Sequence, residues 1–224
     1  MLVAWRAQAA LAPADAGRGR ALLIGFGLAS LAVAVPFLWR PQPIKRLLAY
    51  SSLEHMGVLA LGIGIGSPLA LAGVAVHVVG HAIAKSLGFT ATIPLLRGDP
   101  TLARRPARGV ARSSPHGAGA LGLALLALSG LPPSPLFASE LLILLGGFDA
   151  GEPVVAIAAA ALLALGFLGL AHALIELLFG GRAPRPPRIG PLTAAAGAAL
   201  LALTVGAVLL PGARVVDVLM GALR

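Results

Sequence analysis

VHVVGHAIAKSLGF, residues 76–89, sits inside a long apolar run, and its reading decides the fold. His77, His81 and Lys85 fall at i, i+4 and i+8, so on a helix they form one stripe with neighbours roughly 6 Å apart. An ionisable group at the centre of a bilayer costs about 2.5–3.5 kcal/mol on insertion scales. Three of them on one face ask for a reason, and the usual one is a polar path within a helix bundle. Imidazoles titrate near neutral pH, so such a row can pass protons. The plainer reading is three satisfied polar groups that hold helices together.

The rest of the chain fits a membrane setting. Of its 224 residues 58% are hydrophobic and 11% charged, and the mean hydropathy is +0.94. A soluble domain is close to half apolar and a quarter charged. This is therefore an integral membrane protein of the all-α polytopic class. Cysteine is absent, which excludes iron–sulfur clusters and thiolate-bound nickel from this chain. Any redox centre must belong to a partner, and no cofactor or metal is assigned here. The net charge of +9 comes almost wholly from arginines in short links, which reads as topology and not as nucleic-acid binding.

Working outward, the span holding the stripe runs over residues 69–93, after a break at Ser67 and Pro68. Before it, residues 47–66 form a span that opens on the polar string LLAYSSLEHMG, with Glu54 and His55. Residues 21–39 form the first full span, about 19 residues and long enough for the hydrocarbon core. Residues 1–19 read as the remnant of a preceding helix and a Pro/Asp/Gly loop, with a charge layout unlike a signal peptide.

After the stripe comes a polar link, 94–116, carrying five arginines. Residues 117–148 are apolar but too long for one tidy helix, and SGLPPSPL (129–136) interrupts them. Adjacent prolines remove backbone donors and break the ladder. In a membrane, broken backbone survives only where protein or a water cavity satisfies it. Glu140 follows in FASELLIL (137–144), and a discontinuous helix beside a buried carboxylate points to an ion site. The plainer alternative is a two-helix hairpin with Glu140 near a surface. Residues 154–179 make a fifth span, with His172 and Glu176 at i, i+4 near its far end; 189–210 is the last, and 211–224 an amphipathic tail.

About six spans result, one of them broken. The links after spans one, three and five hold three, five and three Lys/Arg, and those after spans two and four hold none. The basic links belong in the cytoplasm, which puts both termini outside. In that frame Glu54, His55, His172 and Glu176 lie toward the cytoplasm, Lys85, His81 and His77 climb through the middle, and Glu140 lies on the outer half.

IKRLLAYSSLEHMG (44–57), HVVGHAIAKSLGF (77–89) and GLPPSPLFASELLIL (130–144) together carry a resemblance. In this order they resemble the proton-conducting, antiporter-like membrane subunits of respiratory complex I, Mrp antiporters and energy-converting hydrogenases. SSLEHMG, with Glu54 before His55, is most similar to hydrogenase-4 component F. The resemblance covers the family's C-terminal half and implies three parts: a remnant helix and loop over 1–20, a five-helix antiporter-like repeat over 21–180, and a terminal helix and tail over 181–224. It implies that Lys85, His81 and His77 are central relay residues and Glu140 the terminal relay toward the outside. Lys45 and Glu54, with His55, would lie at the cytoplasmic mouth. The family usually has an acid just before IKR, where this chain has Pro43, so Lys45 reads equally well as a positive-inside anchor. His172 and Glu176 have no firm counterpart; a helix-end pair is at least as good a reading of them.

The resemblance implies a partial proton-translocating membrane subunit of a redox-driven complex, of hydrogenase-4, formate-hydrogenlyase or NADH:quinone oxidoreductase type. Such a subunit is an accessory to an oxidoreductase and has no redox chemistry of its own. Its partners would be other membrane subunits, a chain supplying the missing first repeat, peripheral redox subunits and the lipid of a bacterial or archaeal cytoplasmic membrane. Three other functions stay open: a cation/proton antiporter subunit, a haem anchor using His77 or His81 with His55 or His172, and a structural fragment without independent transport.

Overall fold

The computed structural model describes residues 13–113 and 115–181, with four further positions at 195, 198, 199 and 202. Residues 1–12, the arginine link at 182–188, most of the sixth span expected over 189–210 and the tail lie outside the described residues.

Among the described residues every regular element is helical: α1 (Pro13–Leu38), α2 (Ile44–Ile65), α3 (Pro68–Gly98), α4 (Pro115–Leu128), α5 (Pro135–Asp149) and α6 (Pro153–Phe179). A 3-10 turn, Pro100–Ala103, and a single helical turn, Val110–Ser113, lie in the link between α3 and α4. Four of these helices are long and apolar enough to cross a membrane, α1 counting from Gly17. At 14 and 15 residues, α4 and α5 are each short of a crossing, and they are the two halves of the broken span. The chain is an all-α polytopic membrane protein.

Three boundaries differ from the sequence reading of the links. Residues 13–19 are helical where a loop was expected; proline and aspartate are also residues that the first turn of a helix accepts. The third span runs through Pro94 to Gly98. Proline there forfeits one hydrogen bond near a helix end, while buried Thr92, Pro94 and Leu95 keep the last turns against the bundle. The start of α2 is also earlier, at Ile44, because the Pro43 carbonyl accepts from the N–H groups of Arg46 (2.9 Å) and Leu47 (3.0 Å). That shift carries Glu54 and His55 to the middle of the helix.

The helices pack around α2. Its mean hydropathy is 1.3 against 2.3 for α1 and 2.6 for α6, and it is the most buried of the four. α1 lies along α2, α3 lies against α4 and α5, and α6 closes on α1 and α5. Gly27 and Gly57 let α1 and α2 approach so closely that a Cβ on Gly57 would sit 2.9 Å from the Gly27 carbonyl oxygen. Small residues at helix crossings are the usual device for close packing in lipid. Arg20 of α1 donates to the carbonyls of Gly64 and Ile65, both at 3.1 Å, and so caps the C-terminus of α2 with a positive charge. Ser67 ties two helices: it accepts from the Ala70 N–H as N-cap of α3 and donates to the Gly146 carbonyl of α5 at 2.9 Å.

Two apolar cores result. One gathers Leu38, Leu48, Leu87, Leu95, Leu121 and Leu125. The other gathers Leu31, Val58, Leu61, Ile65 and Ile143 at the opposite end of α2. Between them lies a layer of buried polar side chains.

Candidate functional site

That layer begins at the break. α4 ends at Leu128, Gly130 turns the chain with φ +68°, and Ser134 starts α5 by accepting the Phe137 N–H at 3.1 Å. In an unbroken helix the Leu128 carbonyl would accept from the N–H of residue 132. Residue 132 is proline, which has none. The carbonyl is instead reached by His55 Nε2 of α2, at 3.0 Å. A carbonyl can only accept, so His55 Nε2 carries a hydrogen.

The neutral ring of His55 therefore offers Nδ1 as an acceptor, and His77 Nε2 lies 3.0 Å from it. His77 Nδ1 in turn lies 2.8 Å from Ser139 Oγ on α5, and Ser139 Oγ is 2.7 Å from the Leu136 carbonyl. Ser139 has a single hydroxyl hydrogen. With His77 neutral, that hydrogen points to His77 Nδ1. With a proton added, His77 donates at both nitrogens and Ser139 passes its hydrogen to Leu136. The line is satisfied in both states, and one hydroxyl rotation connects them.

His81 stands beside this line, its ring centroid 4.7 Å from that of His55 and 6.2 Å from that of His77. Lys85, one turn further along α3, donates to the Leu48 carbonyl and to Ser51 Oγ at 2.6 Å. The stripe expected on this helix thus meets α2 along its length: Lys85 opposite Ser51, and His81 and His77 opposite His55. Glu140 is 13% exposed and its Oε1 lies 3.9 Å from His55 Nδ1. It is an immediate neighbour of the histidines and not a distant end of the row. Its carboxylate rests against Gly130, where a side chain would collide with it. Glu54 is 4% exposed and rests in the same way on Gly166 of α6.

The other residues singled out from the sequence stand apart. Lys45 is exposed in the first turn of α2. Glu54 and His55, expected at a mouth with it, are buried at mid-helix. Glu176 pairs with Arg108 at 3.1 Å on an exposed face, and His172 is exposed and stacks on Trp39. The geometry leaves no slot for a haem between His55 and His77, which touch directly, nor between His55 and the adjacent ring of His81. Ser51, Ser139 and the Leu128 carbonyl were not singled out from the sequence. Ser51 could have been, since it lies at i−4 from His55 on the same helix face.

A helix bundle whose central layer is a chain of buried imidazoles, an ammonium and carboxylates, joined to a proline-broken span, defines a polytopic membrane protein with a polar interior. A family profile described as NADH:quinone oxidoreductase/Mrp antiporter, transmembrane, matches residues 20–171, and the chain belongs to that family. It is 37% identical over 161 residues to a hydrogenase-4 component F homolog of Methylacidiphilum infernorum, covering 71% of this chain and 33% of that protein. It is 35% identical over 180 residues to NADH-quinone oxidoreductase subunit N of Geotalea uraniireducens, covering 78% of this chain and 38% of that one. Among solved structures it is similar to a chain of respiratory complex I from Thermus thermophilus, with TM-score 0.70 and 25% identity, covering 86% of this chain and 40% of the other. The chain thus spans between a third and two-fifths of the length of these relatives.

Proposed function

We propose that the chain is the C-terminal, proton-translocating part of a membrane subunit in a redox-driven respiratory complex, of hydrogenase-4 or NADH:quinone oxidoreductase type. The observation that carries this reading is the line from His55 through His77 to Ser139, which holds either zero or one added proton with every partner satisfied. Lys85, His81, His77 and Glu140 would be the relay, with Glu54 and His55 feeding it. The direct contacts between α2 and α3 support a path that crosses helices and does not follow one. The distribution of arginine supports cytoplasmic links after spans one, three and five, with Lys45 at that side and both termini outside.

In this reading the chain holds no redox centre. Electron transfer in a partner would alter the charge on a group beside the layer, and the change would propagate as a redistribution of protons along it. The partners would be other membrane subunits, peripheral redox subunits and a first antiporter-like repeat, whether on this polypeptide or another. The repeat would occupy residues 21–180, flanked by 1–20 and by a terminal helix and tail at 181–224.

Reconstitution with the neighbouring subunits tests this by uncoupler-sensitive proton uptake, comparing wild type with Lys85→Ala and Glu140→Gln. Loss of uptake in both variants with assembly intact supports the relay. Wild-type uptake in both overturns it. Uptake that disappears when sodium is replaced would favour cation/proton exchange instead.

A further inference from the structure

We propose that His55, His77 and His81 form a binding site for a divalent transition metal ion of the zinc class. Each of the three offers one ring nitrogen, and these atoms lie within 4.8 Å of one another. Zinc–imidazole bonds of about 2.0–2.1 Å in a tetrahedron place nitrogens roughly 3.3–3.4 Å apart. His55 Nδ1 and His77 Nε2 stand 3.0 Å apart, so those two need to separate by only about 0.3–0.4 Å. His81 has a buried Nδ1 without a hydrogen-bond partner, which gives the cluster a third ring with donor capacity to spare.

The surroundings are those of metal-bound imidazoles. Such rings almost always commit their second nitrogen, as N–H, to a carbonyl, carboxylate or water. His55 does so through Nε2 to the Leu128 carbonyl. His77 does so through Nδ1 to Ser139, which hands its own hydrogen to Leu136. With the His77 hydrogen moved to Nδ1 and one rotation of the Ser139 hydroxyl toward Leu136, His55 Nδ1 and His77 Nε2 are left facing each other as free acceptors. Glu140, at 3.9 Å from His55 Nδ1, is placed to become a fourth ligand or to hold a water there. Its carboxylate and that of Glu54 offset the ion's charge, while Lys85 opposes it. Three imidazoles with a carboxylate suit zinc, cobalt, nickel or copper; magnesium and calcium prefer all-oxygen sets. The ion would replace the hydrogen shared by His55 and His77. That consequence rests on the proposed relay, whereas binding itself does not.

The full chain, purified without a polyhistidine tag, is titrated with cobalt(II) and then zinc, reading the visible absorption of tetrahedral cobalt and the binding isotherm. One cobalt per chain with a tetrahedral spectrum, displaced by zinc, is the expected result. His81→Ala is expected to weaken binding at least tenfold, Ser139→Ala roughly ten- to a hundredfold through the outer set, and His172→Ala not at all. His81 is partly exposed, so its variant keeps the fold, checked by elution profile and helical circular dichroism. Absence of a tetrahedral spectrum, or equal binding by wild type and His81→Ala, overturns the site. So does equal weakening by His172→Ala. Because no transport is read, failure of the relay leaves this result intact, and failure of the site leaves the relay intact.

Discussion

His55 donates through Nε2 to the carbonyl oxygen of Leu128, 3.0 Å away and on a different helix. The carbonyl is available because the residue four places on is Pro132. One backbone interruption therefore sets the tautomer of one imidazole, and that tautomer makes His55 Nδ1 the acceptor of the hydrogen bond from His77 Nε2.

Replacing Pro132 by alanine restores an N–H that can compete for the Leu128 carbonyl. A net hydrogen bond is worth about 0.5–1.5 kcal/mol, so Pro132→Ala is expected to slow proton uptake roughly two- to tenfold. Nitrogen-15 spectra of labelled histidine check the cause: the His55 signals should change with the rate. A changed rate with unchanged His55 signals would separate the two.

Ser139 is the rotor between the two protonation states of His77. Ser139→Ala leaves His77 Nδ1 without its hydroxyl partner and is expected to lower stability by about 1–3 kcal/mol. Uptake should fall as well, with partial recovery in Ser139→Thr, which restores the hydroxyl. Unfolding in mixed micelles and the transport assay together measure both effects.

Gly166 makes room for the Glu54 carboxylate. A methyl group there pushes aside the far end of a flexible side chain, so Gly166→Ala is expected to change stability by less than about 1 kcal/mol. Its uptake should nevertheless drop toward that of Glu54→Gln. Uptake at the wild-type level in Gly166→Ala, with loss in Glu54→Gln, would show that the carboxylate works from more than one position.

Arg20 caps α2 with two charged hydrogen bonds to its last carbonyls. Arg20→Ala is expected to lower stability by about 1–3 kcal/mol, read as a lower midpoint in detergent unfolding, while the histidine layer keeps its spectra.

The Arg108–Glu176 pair joins exposed side chains, and such pairs contribute about 0–1 kcal/mol. Glu176→Gln is expected to leave both stability and uptake close to wild type. A large loss of uptake would bring the far end of α6 into the path.

Local spacing made the stripe readable: His77, His81 and Lys85 share a helix face whatever surrounds them. The fold class and the broken span were equally plain, from hydropathy and from two prolines in an apolar run. What lay beyond reach was pairing between helices. Ser139 looks like any small residue in an apolar helix, and the Leu128 carbonyl belongs to no side chain, although Pro132 was visible four residues later. The nearness of Glu140 to His55 was out of reach for the same reason, since it depends on the turn at Gly130 that folds α5 back beside α2. The mid-helix position of Glu54 and His55 was hidden because the charges of IKR masked the start of α2 at Ile44. The partner of Glu176 is 68 residues away, a distance at which one sequence carries no signal.

The contrast between α2 and its neighbours has a consequence for how the protein is made. α2 is only modestly apolar, with Glu54 and His55 at its midpoint, and is buried mainly by α1 and α3, with α5 beside them. A helix of that kind partitions poorly into a bilayer by itself. The strongly apolar α1, already positioned to receive Gly57 against Gly27 and to cap α2 through Arg20, makes the two a natural unit for insertion. Insertion of α1 and α2 as a pair would let a span of mean hydropathy 1.3 enter the bilayer beside one of 2.3.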